Sequence, residues 1–208
     1  MLHDVLLSAV RLPLLFRGDV LRPSSLAVLV VVVPLAALLL AFKMRSGMRG
    51  GVACSWAFLA IYASWAAGLL FEPSAGAQDP HLLESVGHWI NLVPFATIGA
   101  QVRSASGSAL VQLIGNVGLL LPLGLLGPVV MPSLRRVARL TLVALGVSAA
   151  IELAQLAGTS IRLIDRSVDV DDVILNVAGA LLGWLVWRTI VWLRTRASRS
   201  SAANELHS

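Results

Sequence analysis

Charge is what this sequence has least of. Charged residues make up 13% of its 208 positions, where a soluble globular domain carries roughly 25%. Hydrophobic residues reach 57% and the mean hydropathy is +0.84. So few charges cannot coat a water-facing surface, so lipid must do much of the solvating. Cysteine is nearly absent too. The one copy, Cys54, excludes an intramolecular disulfide and any cysteine-clustered metal site. Neither a Ser-His-Asp set nor an HExxH motif is present, and no basic region precedes the first apolar stretch, Leu6 to Phe16, as a cleavable signal would require. That stretch is broken by Arg11 and Pro13 and reads as a helix lying along the membrane surface within residues 1–25. The net charge of +5 does not indicate nucleic acid, because the arginines stand in short clusters between apolar runs rather than on a basic, aromatic-studded patch.

What the chain has is long apolar runs. A bilayer core takes about 20 apolar residues per helix, with roughly 17 to 25 tolerated. Five runs qualify: Leu26–Phe42, Val52–Phe71, Ala109–Met131, Leu140–Ala157 and Asp172–Leu193. The fold class is therefore all-α, a polytopic transmembrane bundle of about five spans over residues 26–193, followed by a tail from 194 to 208 that reads as disordered and cytoplasmic. Between the second and third runs, Glu72 to Ser108 holds His81, His88 and Trp89 and then Asn91-Leu-Val-Pro-Phe95. Its apolar part is too short to cross, so it lies at the interface or dips in and returns. Backbone that dips in must be shielded from hydrocarbon, where each unpaired amide costs several kcal/mol. The histidines are read as interfacial residues rather than metal ligands.

Basic residues set the orientation. Ten of the sixteen fall on one side: Lys43, Arg45, Arg49, Arg135, Arg136, Arg139, Arg188, Arg194, Arg196 and Arg199. The opposite side collects most of the carboxylates. This predicts a multi-pass protein with a cytoplasmic C-terminus and with Trp184, Trp187 and Trp192 in an interfacial belt.

Polar residues inside spans are expensive and call for a reason. Glu152 and Gln155 share one face of the fourth run. In the fifth, Asp169, Asp172, Asn176, Gly179 and Gly183 form a single stripe, carboxylate and amide above, glycine below. Small residues so spaced let a neighbouring helix come close. In the third run Gln112 and Asn116 share a face, with Pro122 below, a residue that frees a backbone carbonyl. By topology the acids and amides gather in the outer half, which predicts one polar site there. A bland account competes: Asp169 caps a helix whose dipole Asp171 and Asp172 favour, while Asn116 and Gln155 hold helices together.

The order of these blocks resembles the VanZ-like family of bacterial membrane proteins: Asn91-Leu-Val-Pro-Phe95, Asn116 with Leu121-Pro-Leu-Gly124, Glu152-Leu-Ala-Gln155, then Arg166, Asp169, Asp172, Asn176, Gly179 and Gly183. The likeness covers residues 91–183. It marks Asn91, Asn116, Glu152, Gln155, Arg166, Asp169, Asp172 and Asn176 as the expected ligand-binding set, and implies an association with tolerance of teicoplanin-type glycopeptide antibiotics. It brings no established reaction, so no catalytic residue, metal or cofactor is assigned. The expected partners are membrane lipids and an amphiphilic ligand or lipid-linked cell-wall precursor. A polar mouth over a glycine-lined apolar wall would accept a headgroup and an acyl chain. Two other classes stay open: a membrane enzyme acting on a lipid-linked phosphate through Glu152, Asp169 and Asp172, and a proton-coupled transporter using Glu152.

Overall fold

The computed structural model describes residues 49–71, 90–161, 164 and 166–205, with side chains to Arg199. The interfacial N-terminal segment, the first apolar run and the two histidines lie outside these residues. Four helices among the described residues are long and apolar enough to cross a membrane. They are α1 (Gly50–Leu70), α3 (Gly107–Val130), α4 (Val137–Ser160) and α5 (Val170–Glu205). Between α1 and α3 stands a nine-residue helix, α2 (Ala96–Ser104), and a 3-10 turn (Pro132–Arg135) joins α3 to α4. The fold is a helical membrane bundle, as its composition requires.

The centre of the bundle is a parallel pair that is not adjacent in sequence. Helices α3 and α5 run in the same direction, with α4 antiparallel to both. Three glycines allow the pair to close. A Cβ on Gly179 would strike the backbone carbonyl of Val117, one on Gly183 that of Leu121, and one on Gly124 that of Ala180. The two backbones therefore touch directly, as small residues at helical spacing permit. Leu120, Ala144 and Ala180 form the small apolar core where α3, α4 and α5 meet.

Helix α3 starts on Ser106, whose hydroxyl accepts the N–H of Ala109 at 3.2 Å, and carries Pro122 and Pro128 inside it. Proline has no N–H to give to the carbonyl four residues back. For Pro122 that carbonyl belongs to Gly118, and the hydroxyl of Tyr62, the chain's only tyrosine, donates to it at 2.9 Å. The bond also fastens α1 to α3. At the opposite end of the bundle, the Trp184 indole N–H donates to the Arg135 carbonyl at 3.2 Å, tying α5 to the turn before α4.

Two local features depart from the sequence reading. Helix α4 continues three residues past Ala157 to Ser160, so Glu152 lies eight residues, about 12 Å, from the helix end, where a run ending at Ala157 would put it five residues, about 7 or 8 Å, from that end. Helix α5 runs on to Glu205, where a disordered tail beginning at Arg194 was expected. Residues 194–205 contain neither Gly nor Pro, and adding residues to an existing helix avoids the cost of nucleation.

The chain between α4 and α5 does not stay at the end of the bundle. It folds back along α4: Ile164 packs against Gly158, and the backbone of Arg166 pairs with the Thr159 hydroxyl through both its N–H and its C=O. Two turns deeper, Asp169 meets Glu152. There Val168 and Asp169 form a two-residue strand, β2, parallel to β1 (Ile90–Asn91), with Ile90 opposite Val168 and Asn91 opposite Asp169. Extended backbone thus enters the bundle to the depth of Glu152 before α5 begins.

Candidate functional site: a buried polar junction of α3, α4 and α5

Non-helical backbone inside a bundle must find partners for its amides, and the polar residues supply them. The Glu152 carboxylate accepts the N–H of Asp169 at 3.2 Å. Asp169 precedes α5, and its own carboxylate accepts the Asp171 N–H at 2.9 Å, which is an N-cap bond. The same oxygen receives Asn91 Nδ2 at 3.1 Å. Asn91 also donates to Thr97 Oγ1 at 2.9 Å, and its Oδ1 takes the Val93 N–H at 3.1 Å.

Asp171 has a separate task. It is wholly buried, and its carboxylate leaves α5 to accept the N–H groups of Phe95 at 2.5 Å and Ile98 at 2.9 Å. These are orphan donors at the start of α2, a helix with no side-chain cap of its own from Phe95. Phe95 holds a left-handed conformation, φ 65°, uncommon for a bulky residue and costly by about 1–2 kcal/mol. The Asp171 bond sustains it. Helix capping by the acid cluster was legible in the sequence, but for Asp171 the capped helix lies elsewhere in the chain.

Deeper in the bundle, Asn116 of α3 donates through Nδ2 to the Asp172 carboxylate. One turn below Asp172, Asn176 Nδ2 donates to the Ser148 hydroxyl of α4 at 2.9 Å. Gln155, on the α1 side of the junction, places Nε2 3.5 Å from the Leu70 carbonyl at the end of α1, a long contact by hydrogen-bond standards. The Arg166 side chain is exposed, and its charge attracts Glu152 and Asp172, while Asp169 repels both.

The structure therefore brings Asn91, Asn116, Glu152, Asp169, Asp172 and Asn176 into one linked region. Gln155 stands at its edge toward α1, and Arg166 contributes charge from outside. Ser148, Thr159 and Thr97 belong to the same network and were not singled out from sequence. The signal for two of them was present: Ser148, Glu152, Gln155 and Thr159 fall at spacings of four, three and four, one buried stripe of α4. Among the described residues no three His, Cys, Asp or Glu side chains are grouped to hold a metal ion.

The glycine-lined wall expected beneath the polar residues is closed. Gly179 and Gly183 lie against the backbone of α3, so nothing else fits there. The open apolar space is on the other side of the junction, between α1, α3 and α4. It is a groove of about 480 Å³ lined among others by Trp56, Ala63, Ala67, Leu70, Leu120 and Ile151. From Trp56 to Leu70 it follows α1 for about 21 Å at the helical rise, and it ends at the residue that Gln155 approaches.

Fold and junction together define a helical membrane protein built around buried polar side chains. The VanZ/LLP1 family model matches residues 52–193, more than half the chain, and the protein belongs to that family. The match takes in α1, which lies outside the motif blocks at 91–183. No curated protein and no solved structure matches the chain significantly.

Proposed function

We propose that this VanZ-family membrane protein binds an amphiphilic molecule of the outer leaflet, a lipoglycopeptide or a lipid-linked cell-wall precursor. The polar part would sit at Glu152, Gln155 and Asp172, and the hydrocarbon in the groove between α1, α3 and α4. One observation carries the reading: Gln155, part of the buried polar stripe, reaches the Leu70 carbonyl at the groove's end. A long apolar groove meeting a few convergent polar groups is the usual form of a lipid or drug site. Asp169 and Asp171 serve backbone amides and Glu152 serves one through a single oxygen, which leaves its second oxygen, Asp172, Gln155 and Arg166 as the groups that would meet a ligand. The excess of basic residues on the opposite side supports an outward-facing junction. A role in tolerance of teicoplanin-type antibiotics is the biological expectation that family membership supports.

The test is expression in a teicoplanin-sensitive host, together with labelling by a photoreactive cell-wall lipid. Ala67→Phe should fill the groove and Asp172→Ala should strip the polar end, each lowering both tolerance and labelling. Unchanged tolerance and labelling in both variants would overturn the reading.

A further inference from the structure

Asn176 is 1% exposed, and its Oδ1 is a buried side-chain atom with no hydrogen-bond partner among the described residues. An unpaired buried acceptor costs about 1–3 kcal/mol, and one in a native structure calls for an explanation. Its location supplies one. Asn176 lies one turn below Asp172 on α5, and its partner Ser148 lies one turn below Glu152 on α4. The carboxamide therefore lies one turn below two carboxylates, with its oxygen unpaired among the described residues.

Those carboxylates are short of positive charge. Glu152 feels repulsion from both Asp172 and Asp169, while Arg166, itself exposed, opposes it through space. Asp172 feels repulsion from Asp169 and Asp171 and attraction from the same exposed Arg166, and Asn116 supplies it with a neutral donor. A cation would stabilise these carboxylates in their ionised form and give the vacant amide oxygen a partner. The donor set limits which cation. The oxygens come from amide, hydroxyl and carboxylate groups, and no three acidic side chains are grouped as a metal cage among the described residues. A divalent ion such as Ca²⁺ takes six to eight oxygens and usually several carboxylates. Hard oxygen ligands with low total charge suit a singly charged ion.

We infer that the floor of this junction binds a small monovalent metal cation, with Asn176 Oδ1 and the Asp172 carboxylate as ligands and Glu152 as a nearby counter-charge. The site shares Asp172 and Glu152 with the amphiphile reading but needs no lipid, so an ion response in detergent is read separately from antibiotic tolerance and lipid labelling.

The experiment follows thermal unfolding of the purified full chain in detergent, read by the fluorescence of its six tryptophans. LiCl, NaCl or KCl replaces choline chloride at constant ionic strength. A ligand held only by the folded state, at free concentration L, stabilises it by RT ln(1 + L/Kd), so the midpoint keeps rising with the logarithm of ligand concentration. One alkali ion should raise it in this way, by about 5 to 10 °C at roughly a hundredfold its Kd for a chain of this size. The rise should vanish in Asn176→Leu and shrink in Asp172→Asn; should the leucine variant fail to fold, the asparagine variant carries the comparison. A midpoint identical in choline and in all three alkali salts would overturn the inference. So would an alkali response that persists undiminished in Asp172→Asn, or a midpoint that responds to pH alone.

Discussion

The carboxylate of Glu152, in the middle of α4, accepts the backbone N–H of Asp169 at 3.2 Å, so a side chain of one span holds the first turn of the next. An intramembrane acid ordinarily suggests transport or chemistry. Here it also has a structural task, and a well-chosen pair of variants separates the two. Glu152→Gln keeps an oxygen for the Asp169 amide and should unfold within about 1 kcal/mol of the parent, whereas Glu152→Ala strands that amide at about 1–3 kcal/mol. If the charge serves a ligand, the glutamine variant loses tolerance or labelling while its melting midpoint stays near the parent's.

Asp171 supplies two charge-assisted hydrogen bonds to the start of α2, each worth about 1.5–3 kcal/mol. Asp171→Ala should therefore be among the most damaging single changes in the chain, and Asp171→Asn less so, because one amide oxygen still accepts. Thermal unfolding in detergent measures both. An alanine variant as stable as the parent would show that α2 does not depend on this acid.

Phe95 offers the opposite sign. Glycine adopts φ 65° without steric cost, so Phe95→Gly should be neutral or stabilising by up to about 1 kcal/mol, although the side chain it removes is 65% exposed and apolar. A clear loss of stability would mean that the ring packs in the native membrane.

Tyr62→Phe removes the hydroxyl that meets the carbonyl left free by Pro122. The expected cost is about 1 kcal/mol or somewhat more, since the Gly118 oxygen is left unpaired. The companion change Pro122→Ala restores an N–H for that carbonyl, so the two losses should not add. A double-variant cycle on unfolding midpoints gives the coupling.

Glycines test the α3–α5 contact. Alanine at Gly179 or Gly183 drives a methyl into the backbone of α3 and should cost at least the 1–3 kcal/mol typical of overpacking. Alanine at Gly146, where nothing lies within 4 Å, should instead stabilise α4 slightly through helix propensity.

Much of this architecture was legible in the apolar runs, because hydropathy reports the requirement that lipid imposes on a helix. The four described spans lie where those runs are, with ends displaced by a few residues where polar turns continue the helix. The family blocks and the stripe on α5 likewise located most of the polar junction. Hydropathy carries no signal for the pairing of Asn91 with Asp169, which are separated by 78 residues. The end of α4 is not legible in hydropathy, because Gly-Thr-Ser resembles a loop in composition while remaining helical, and Glu152 lies deeper for it. The direction of the glycine face could not be read either. The spacing shows that some helix approaches, not that α3 would fill the place expected for an acyl chain.

The parallel clasp of α3 and α5 also orders events during synthesis. Helix α4 separates them along the chain, so α3 waits in the bilayer with Asn116 unmatched until the ribosome has delivered Asp172. Glu152 likewise waits for Asp169. A chain stopped before Asp169 would retain its earlier membrane segments yet leave Asn116, Ser148 and Glu152 without their partners, giving quality-control proteases a clear mark of an unfinished product.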